Sequence, residues 1–363
     1  MHLVRIRRRP AYAEHALTEF KLPSADRNST FSLGQLPGHC DILRGGNFEI
    51  TMPLYATDLF AALAAIPVAA LGGATFLKGV LGVAEWLRLP KILIATTLAA
   101  FATSSPELAV SSIAAASGKP AIGLGDALGS NVVNLGLILG IALFFGPIAA
   151  SFHELKRDFV LALVVPVLTL LLALDSTLSR ADGLFLIALF VLWMTFVVRQ
   201  AITHRRTTTG ATGPPAAAAR SGLFLLVGLA ALIAAGQLFV KGASGMASAM
   251  GVHPYVIGAT LVAIGTSLPE LVTVVVSRMR GHDEVGLGTL LGSNLFNGLA
   301  VVGTAATIQP IRAPLGELAV AATFGVVTVL LALPRGSMIS RRHGFALLAA
   351  YGAFAILTAG QAS

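Results

Sequence analysis

The chain has 363 residues, of which 55% are hydrophobic and only 12% are charged. A soluble domain carries about a quarter charged residues, so this chain has too few to cover a water-facing surface, and a soluble globular fold is excluded. The net charge of +8 is spread in single residues and pairs between apolar runs, without the basic stripe that follows nucleic-acid phosphates. We therefore expect an integral membrane protein whose partner is the lipid bilayer, with no nucleic-acid binding.

The first 51 residues differ from the apolar remainder. They hold seven Lys or Arg and five acidic residues, and the chain's single cysteine, Cys40, so neither an intrachain disulfide nor a thiolate metal cluster is expected. No apolar stretch follows the Arg5–Arg9 run, as it would in a signal peptide. We expect this basic tail to be disordered, or translation to begin at Met52; N-terminal sequencing of the native protein distinguishes the two.

Apolar segments long enough to cross a bilayer core predict ten transmembrane helices. A stretch rich in Thr, Gly, Pro and Ala, residues 203–221, separates the fifth from the sixth and is interpreted as a linker. The predicted order is the tail, a five-helix unit at 52–202, the linker and a second five-helix unit at 222–363. The ten segments are 59–81, 92–117, 121–146, 159–174, 183–202, 222–243, 254–280, 285–309, 315–334 and 344–360.

The basic residues predict the orientation. With the linker in the cytoplasm, fourteen Lys or Arg of the membrane part lie on the cytoplasmic side and four on the outer side. Cytoplasmic loops of membrane proteins carry such an excess. We expect a multi-pass protein of the plasma (inner) membrane with its central linker in the cytoplasm.

The two five-helix units contain copies of one sequence, displaced by 163 residues. Residues 94–134 align with 257–297 without a gap, with 18 identities in 41 positions, most of them polar, Gly or Pro. Because each unit has five helices, an odd number, equivalent helices run in opposite directions. The predicted fold class is all-α, with two inverted repeats and a substrate site at mid-depth where they meet, on helices interrupted by Gly or Pro.

Proline interrupts helices 2 and 7 at equivalent positions. Pro106 and Pro269 each remove an amide donor, so the carbonyls at 102–103 and 265–266 are expected to be free to face a cation. Glu107 and Glu270 follow directly. A charge at this depth costs several kcal/mol unless it faces a cavity or an ion, and no basic residue lies in these helix centres. The remaining alternative is a protonated glutamate that only donates a hydrogen bond.

Hydroxyl and amide side chains accompany the glutamates in both copies. A Thr-Ser pair lies one turn before each glutamate, and a Ser and an Asn four residues apart line a second helix face. The alternatives are hydroxyls bonded to their own helix and plain packing of small residues. The candidate ligands are Thr103, Ser104, Thr266, Ser267, Ser130, Asn134, Ser293 and Asn297. The glycines expected to bring the second face against the broken helices are Gly125, Gly129, Gly288 and Gly292.

Three further polar residues have two alternative roles each. Asp126, one turn before Ser130, would add a third negative charge, either as a ligand or in an access funnel, but its counterpart is Thr289. His153 and His253 lie at helix ends, where interfacial anchoring is favoured over metal binding.

All the candidate ligand atoms are oxygens, which hard cations such as Ca²⁺ and Na⁺ prefer over Zn²⁺ or Cu²⁺. Two fixed negative charges match one Ca²⁺ or about two Na⁺, so one site can hold either load but not both. No nucleophile–base pair and no cofactor motif is visible, so we expect neither an enzyme nor a bound cofactor; Ca²⁺ and Na⁺ are expected as transported substrates.

At these residues the sequence resembles the cation/calcium antiporter superfamily and, within it, the prokaryotic sodium/calcium exchangers. The doubled signature stands as Ala102-Thr-Ser-Ser-Pro-Glu107 with Gly129-Ser-Asn-Val-Val-Asn134, and as Gly265-Thr-Ser-Leu-Pro-Glu270 with Gly292-Ser-Asn-Leu-Phe-Asn297. The resemblance covers roughly 55–360. It implies a ten-helix fold with four cation subsites around the two glutamates.

The resemblance also implies the ligands of each ion. Ca²⁺ would be held by Glu107 and Glu270 with the Thr103 and Thr266 carbonyls. The Na⁺ subsites would add the carbonyls of Ala100 and Ala263, the hydroxyls of Ser104, Ser267, Ser130 and Ser293, and the side chains of Asn134 and Asn297. Two departures stand out. Ala102 replaces the usual Gly, which is expected to stiffen the first break and alter gating. Asn297 replaces the Asp of potassium-dependent relatives and of some prokaryotic ones, so potassium co-transport is not expected.

The predicted function is secondary active exchange of Ca²⁺ for Na⁺ by alternating access. Helices 1 and 6 are expected to slide over a rigid core once bound ions compensate the glutamates, since bare carboxylates would have to cross a low dielectric. The sequence leaves open an H⁺/Ca²⁺ antiporter, in which protons compete at the glutamates, and a passive cation channel or membrane-embedded sensor.

Overall fold

The computed structural model describes residues 51–150, 152–207, 215–249, 263–313 and 315–361. The basic tail lies outside these ranges except for Thr51, so its expected disorder stays a prediction. The helices are α1 (Thr51–Leu87), α2a (Lys91–Thr103), α2b (Ser105–Ala116), α3 (Pro120–Phe145), α4 (Phe152–Leu172), α5 (Arg180–Thr207), α6 (Pro215–Ala249), α7a (Ala263–Thr266), α7b (Leu268–Met279), α8 (Asp283–Ile308), α9 (Leu315–Ala332) and α10 (Arg341–Gln361). Four two-residue strands are β1 (Ile148–Ala149), β2 (Thr177–Leu178), β3 (Ile311–Arg312) and β4 (Met338–Ile339).

The helices carry the apolar character of a membrane protein. Within the described ranges α1, α3, α5, α6, α8 and α9 are long and apolar enough to cross a bilayer, and the bent pair α2a–α2b would make a seventh span. The predicted all-helical membrane fold is therefore confirmed, apart from the four short strands. The count of ten spans stays a prediction.

The predicted linker is shorter than expected. Helix α5 continues to Thr207 and α6 begins at Pro215, both inside the 203–221 stretch interpreted as linker. Pro is favoured in the first turn of a helix, and the four alanines at 216–219 have the highest helix propensity of any residue. Local composition suggested a linker up to residue 221, but residues 215–221 extend a helix that packs against α1.

The predicted breaks in helices 2 and 7 are present. The chain leaves helical geometry at Ser104 (φ −88°, ψ 7°) and Ser267 (φ −84°, ψ 10°), and α2a and α2b meet at 42°. Pro106 cannot bond the Ala102 carbonyl, but the Ser105 hydroxyl donates a short hydrogen bond to it. The expectation that the Ala102 carbonyl is free is therefore wrong, because a neighbouring side chain replaces the lost amide.

In the part of the chain that the structure describes, π-helical segments interrupt the α-helices at Ala95–Ala99 in α2a, Val133–Leu139 in α3 and Phe296–Val301 in α8. The last two begin at positions related by the 163-residue offset and contain Asn134 and Asn297. A π-helical turn adds one residue, which changes the side-chain direction that a 3.6-residue period predicts. Such segments occur frequently at functional sites.

Three apolar clusters of described residues organise the packing. One joins α1 and α6 to α2a through residues such as Phe76, Leu232 and Ile94, and a small one joins α1 and α6 to α7b. The largest fills the space between α3, α4, α5, α8, α9 and α10. Close approach of α1 and α6 depends on glycine. A Cβ at Gly79 would lie 2.4 Å from the Leu225 nitrogen, and one at Gly242 would lie 2.5 Å from the Ala62 nitrogen.

Contacts between the two halves are reciprocal. Strand β1 pairs with β4 and β2 pairs with β3, both antiparallel, so each half supplies one strand to each pair. The pairs gather the loops into two ends of the molecule, which we name the β1–β4 end and the β2–β3 end. Lys91 contacts Glu284 and Arg278 contacts the Phe145 carbonyl near the first, whereas Arg180 bonds the Ile308 carbonyl near the second.

A pair of asparagines joins α3 to α8 at equivalent positions. The Asn131 side-chain amide donates to the Asn294 carbonyl (3.2 Å), and the Asn294 amide donates to the Asn131 carbonyl (3.1 Å). Asn134 donates to the Asn294 side-chain oxygen (3.1 Å). Both paired asparagines are nearly buried, so water cannot replace these bonds easily.

We expect Asn131→Ala and Asn294→Ala each to destabilise the folded protein by about 1–2 kcal/mol, since each leaves a buried carbonyl without its donor. The measurement is thermal unfolding in detergent, with the double variant completing a thermodynamic cycle. Thr195→Ala is the control, because its exposed hydroxyl bonds only its own helix. Effects of either single variant no larger than that of Thr195→Ala would contradict the reciprocal pair.

Candidate cation-binding site

Glu107 and Glu270 lie in equivalent positions, in the first turn of α2b and of α7b. Both are fully buried. The first turn of a helix has amide groups without intrahelical acceptors and a partial positive charge, which stabilises a carboxylate there. The break therefore places each glutamate where the backbone itself favours negative charge.

Each glutamate is bonded by a serine from the opposite half. The Ser104 hydroxyl donates to Glu270 Oε1 (3.1 Å), and the Ser267 hydroxyl donates to Glu107 Oε1 (3.4 Å). The sequence interpretation placed each Ser on the face of its own glutamate. The structure instead crosses them, because the break at Ser104 and Ser267 turns these side chains across the interface between the halves.

Serines of α3 and α8 complete the group. The Ser293 hydroxyl donates to Glu270 Oε1 (3.2 Å) and lies 3.4 Å from the Thr103 hydroxyl. Ser130 lies 3.3 Å from the Ser267 hydroxyl, on the Glu107 side. The predicted hydroxyls Thr103, Ser104, Ser130, Ser267 and Ser293 are thus brought together around the two carboxylates.

Several buried polar atoms of this group have no hydrogen-bond partner among the described residues. They include Oε2 of both glutamates, Oδ1 of Asn134 and both amide atoms of Asn297. Buried polar atoms are nearly always paired, and an unpaired one costs a few kcal/mol. Within the described ranges, no ion pair involves either glutamate. These oxygens are what a bound cation would satisfy.

The predicted carbonyl ligands differ in their environment. The Ala100 carbonyl accepts the Ser104 amide (2.9 Å) and the Thr103 hydroxyl (3.3 Å), so a cation would compete with both. The Thr266 side chain bonds Asp126 rather than a glutamate. Ala263 opens the described part of α7a.

Glycines bring α8 against the broken helix, as predicted for the second copy. A Cβ at Gly292 would lie 2.3 Å from the Thr96 carbonyl oxygen, and one at Gly288 would lie 3.0 Å from the Ala95 Cβ. The matching approach of Gly125 and Gly129 would involve residues 250–262, which lie outside the described ranges, so it stays a prediction. His253 also lies outside these ranges.

Sequence reasoning missed Asn131 and Asn294. Their identity in both copies, inside the Gly-Ser-Asn part of the signature, was a signal for them. The helical period does not single out Asn131 and Asn294, because each lies one residue away from the helix face that carries the Ser and Asn ligands. Their role depends on the contact between α3 and α8.

Comparisons with known proteins agree with this geometry. A family model described as sodium/calcium exchanger protein matches residues 58–199 and 220–360. CaxA of Alkalimonas amylolytica is 35% identical over 288 residues, 76% of this chain and 90% of the relative. The sodium/calcium exchanger MaX1 of Methanosarcina acetivorans is 27% identical over 331 residues, 79% of this chain and 94% of the relative.

A solved structure gives the same result. The sodium-calcium exchanger NCX_Mj, soaked with Na⁺ and Sr²⁺, superposes with a TM-score of 0.72 at 27% identity, covering 82% of this chain and 97% of the other. The two matched segments of the family model each include one buried glutamate and its serines. The chain belongs to the sodium/calcium exchanger family and is a multi-pass membrane antiporter of cations, including Ca²⁺.

Proposed function

We propose that this protein exchanges Ca²⁺ for Na⁺ across the plasma (inner) membrane by alternating access, with Glu107 and Glu270 as the central ligands. The observation that supports it most directly is the pair of fully buried carboxylates, each with an oxygen that has no partner among the described residues. Two carboxylates supply a charge of −2, which one Ca²⁺ or two Na⁺ neutralise. Competition for the same two charges couples the fluxes.

The proposed ligands follow the surrounding oxygens. Ca²⁺ takes six to eight oxygens, which Glu107, Glu270 and the carbonyls of Thr103 and Thr266 begin to supply. Na⁺ would use the serine hydroxyls, which already lie within 3.1–3.4 Å of carboxylate or hydroxyl oxygens. The remaining proposed Na⁺ ligands are the carbonyls of Ala100 and Ala263 and the side chains of Asn134 and Asn297.

Reciprocal contacts support the inverted repeat and its ten spans. The 163-residue offset converts the Ser104–Glu270 bond into the Ser267–Glu107 bond, and Asn131 and Asn294 are themselves 163 residues apart. A two-fold axis between the halves is the simplest symmetry that produces such exchanges. Ten alternating spans also place the loops of β1 and β4 on one side and those of β2 and β3 on the other.

The same contacts support the orientation. Lys91, Arg157 and Arg278 belong to the loops assigned to the cytoplasm and gather near the β1–β4 end, with Arg157 bonding Gln200 at the end of α5. Arg180 and Arg312 belong to the outer loops and lie near the β2–β3 end. We therefore place the β1–β4 end in the cytoplasm.

The packing of α1 and α6 supports a sliding motion. They share an apolar cluster distinct from the main core, and they pack unequally on the broken helices. Gly73 of α1 lies against Val272 and Val276 of α7b, and Gly236 of α6 lies against the Gly265 carbonyl of α7a. Val110 and Ile113 of α2b, by contrast, are exposed. If α1 and α6 slide together, they uncover the halves of the broken helices that they now cover and cover the halves that are now exposed.

We expect Glu107→Gln and Glu270→Gln each to lower Na⁺-dependent Ca²⁺ uptake into everted vesicles about 100-fold or more, because the amide keeps the shape but loses the charge that holds the ion. Glu317→Gln, at an exposed position, should transport like the wild type. Near-normal uptake by either site variant would contradict the assignment.

The coupling ion is tested by imposing one gradient at a time. A Na⁺ gradient without a pH gradient should drive Ca²⁺ accumulation against its own gradient. Accumulation driven by a pH gradient in the absence of Na⁺ would instead identify an H⁺/Ca²⁺ antiporter. Ca²⁺ flux that only follows its own gradient, without isotope counterflow, would identify a passive channel.

Sliding is tested with two disulfides in a protein whose Cys40 is replaced by Ser. Linking α1 to α7b through Gly73→Cys and Val272→Cys should stop exchange until a reductant is added. Linking α1 to α6 through Gly72→Cys and Ala231→Cys is the matched control, since these two residues also face each other across a helix–helix contact. This second link should leave exchange intact. Equal activity of the two cross-linked proteins would exclude the motion.

A further inference from the structure

Asp126 is a third carboxylate beside the glutamate pair, and its environment differs from theirs. Its carboxylate accepts a hydrogen bond from the Thr266 side chain and interacts electrostatically with Glu107. Its Oδ2 is buried without a partner among the described residues. Glu107 and Glu270 are fully buried, whereas Asp126 is part-exposed and the adjacent Gly125 is exposed. Asp126 therefore lies at the boundary between the surface and the buried pair.

The position of Asp126 along α3 shows which end of the molecule this boundary faces. Asp126 lies on α3 between the helix start at Pro120 and Ser130, which contacts Ser267. This first part of α3 packs against strand β3. Asp126 is therefore on the side of the glutamates that faces the β2–β3 end.

The equivalent position in the other half cannot act in the same way. Thr289 is fully buried, and its hydroxyl donates to the Val285 carbonyl of its own helix (2.8 Å). The two approaches to the glutamates therefore differ by one carboxylate. Nor do the three carboxylates form one metal cage: within the described ranges no group of three acidic, His or Cys residues is placed to hold a single ion.

We propose that Asp126 and Thr266 form an outer cation subsite, which takes up Ca²⁺ or Na⁺ from the β2–β3 end before the ion reaches Glu107 and Glu270. This inference rests on the proposed function, because the ions it receives are those exchanged at the glutamates. One carboxylate and one hydroxyl supply few of the oxygens that a hard cation needs, so the ion keeps part of its water here. Its neighbour Glu107 supplies the next negative charge along the path.

The physical consequence is a one-sided effect on ion capture. A fixed negative charge at a narrow approach raises the local cation concentration and the association rate, and salt weakens this effect. The charge of Asp126 assists ions that arrive from the β2–β3 end. Ions that arrive from the β1–β4 end reach the glutamates without passing it.

The test compares the two faces of the membrane in right-side-out and everted vesicles at low ionic strength. We expect Asp126→Asn to raise the KM for Ca²⁺ about tenfold at the β2–β3 face, with the maximal rate retained and the KM at the other face unchanged. The increase should shrink as choline chloride is added. Asp126→Glu keeps the charge and should stay near the wild type. Asp175→Asn, an exposed carboxylate near the same end, is the control and should have no effect.

Three results would overturn the outer subsite. The first is a wild-type KM of Asp126→Asn at both faces. The second is an equal increase of the KM at both faces, which would make Asp126 part of the central site. The third is the same increase of the KM in Asp175→Asn. Glu270→Gln is assayed in parallel. Retained exchange in that variant would refute the proposed function whatever the KM values of Asp126→Asn, so the two failures are distinguishable.

Discussion

Two carboxylates buried within a membrane protein impose the constraint on which the other features depend. Each must be stabilised by donors and dipoles, since a bare charge in a low dielectric is prohibitively expensive. The broken helices meet part of this need by placing Glu107 and Glu270 in the first turn of α2b and α7b. Serine hydroxyls meet another part. Under the proposed function, cations would stabilise the carboxylate oxygens that have no partner among the described residues.

The two halves of the protein depend on each other for this stabilisation. Ser104 bonds the glutamate of the second half and Ser267 that of the first, so neither half forms a complete site alone. The Asn131–Asn294 pair fixes α3 against α8 close to the same point. Gly292 lets α8 approach α2a until only a hydrogen atom fits between them. These contacts form a frame that joins the helices around the two carboxylates.

Against this frame, α1 and α6 form a distinct packing unit. The apolar clusters that they share contact α2a and α7b, while the larger core holds the remaining helices together. Apolar side chains facing a smooth helix surface can exchange one set of contacts for another at little net change in buried area. Buried hydrogen bonds such as those of the asparagine pair cannot be exchanged in this way, because breaking them leaves buried polar groups unpaired. The distribution of polar and apolar contacts thus separates what can move from what stays fixed.

The sequence by itself determined the membrane setting, the doubled signature, the two breaks and the identity of the central carboxylates. These follow from composition, from the 163-residue offset and from the chemistry of Pro and Glu. Each of these can be found in the sequence without knowing which helices are in contact. Only the tertiary structure decided that the serines cross to the opposite glutamate and that Asn131 pairs with Asn294. Those outcomes depend on which helices meet and on the π-helical turns that rotate them, and a 3.6-residue period carries no information about either. Asp126 shows the same division: its charge is read from the sequence, and its place on one approach to the site comes from the packing of α3 beside Thr266 and β3.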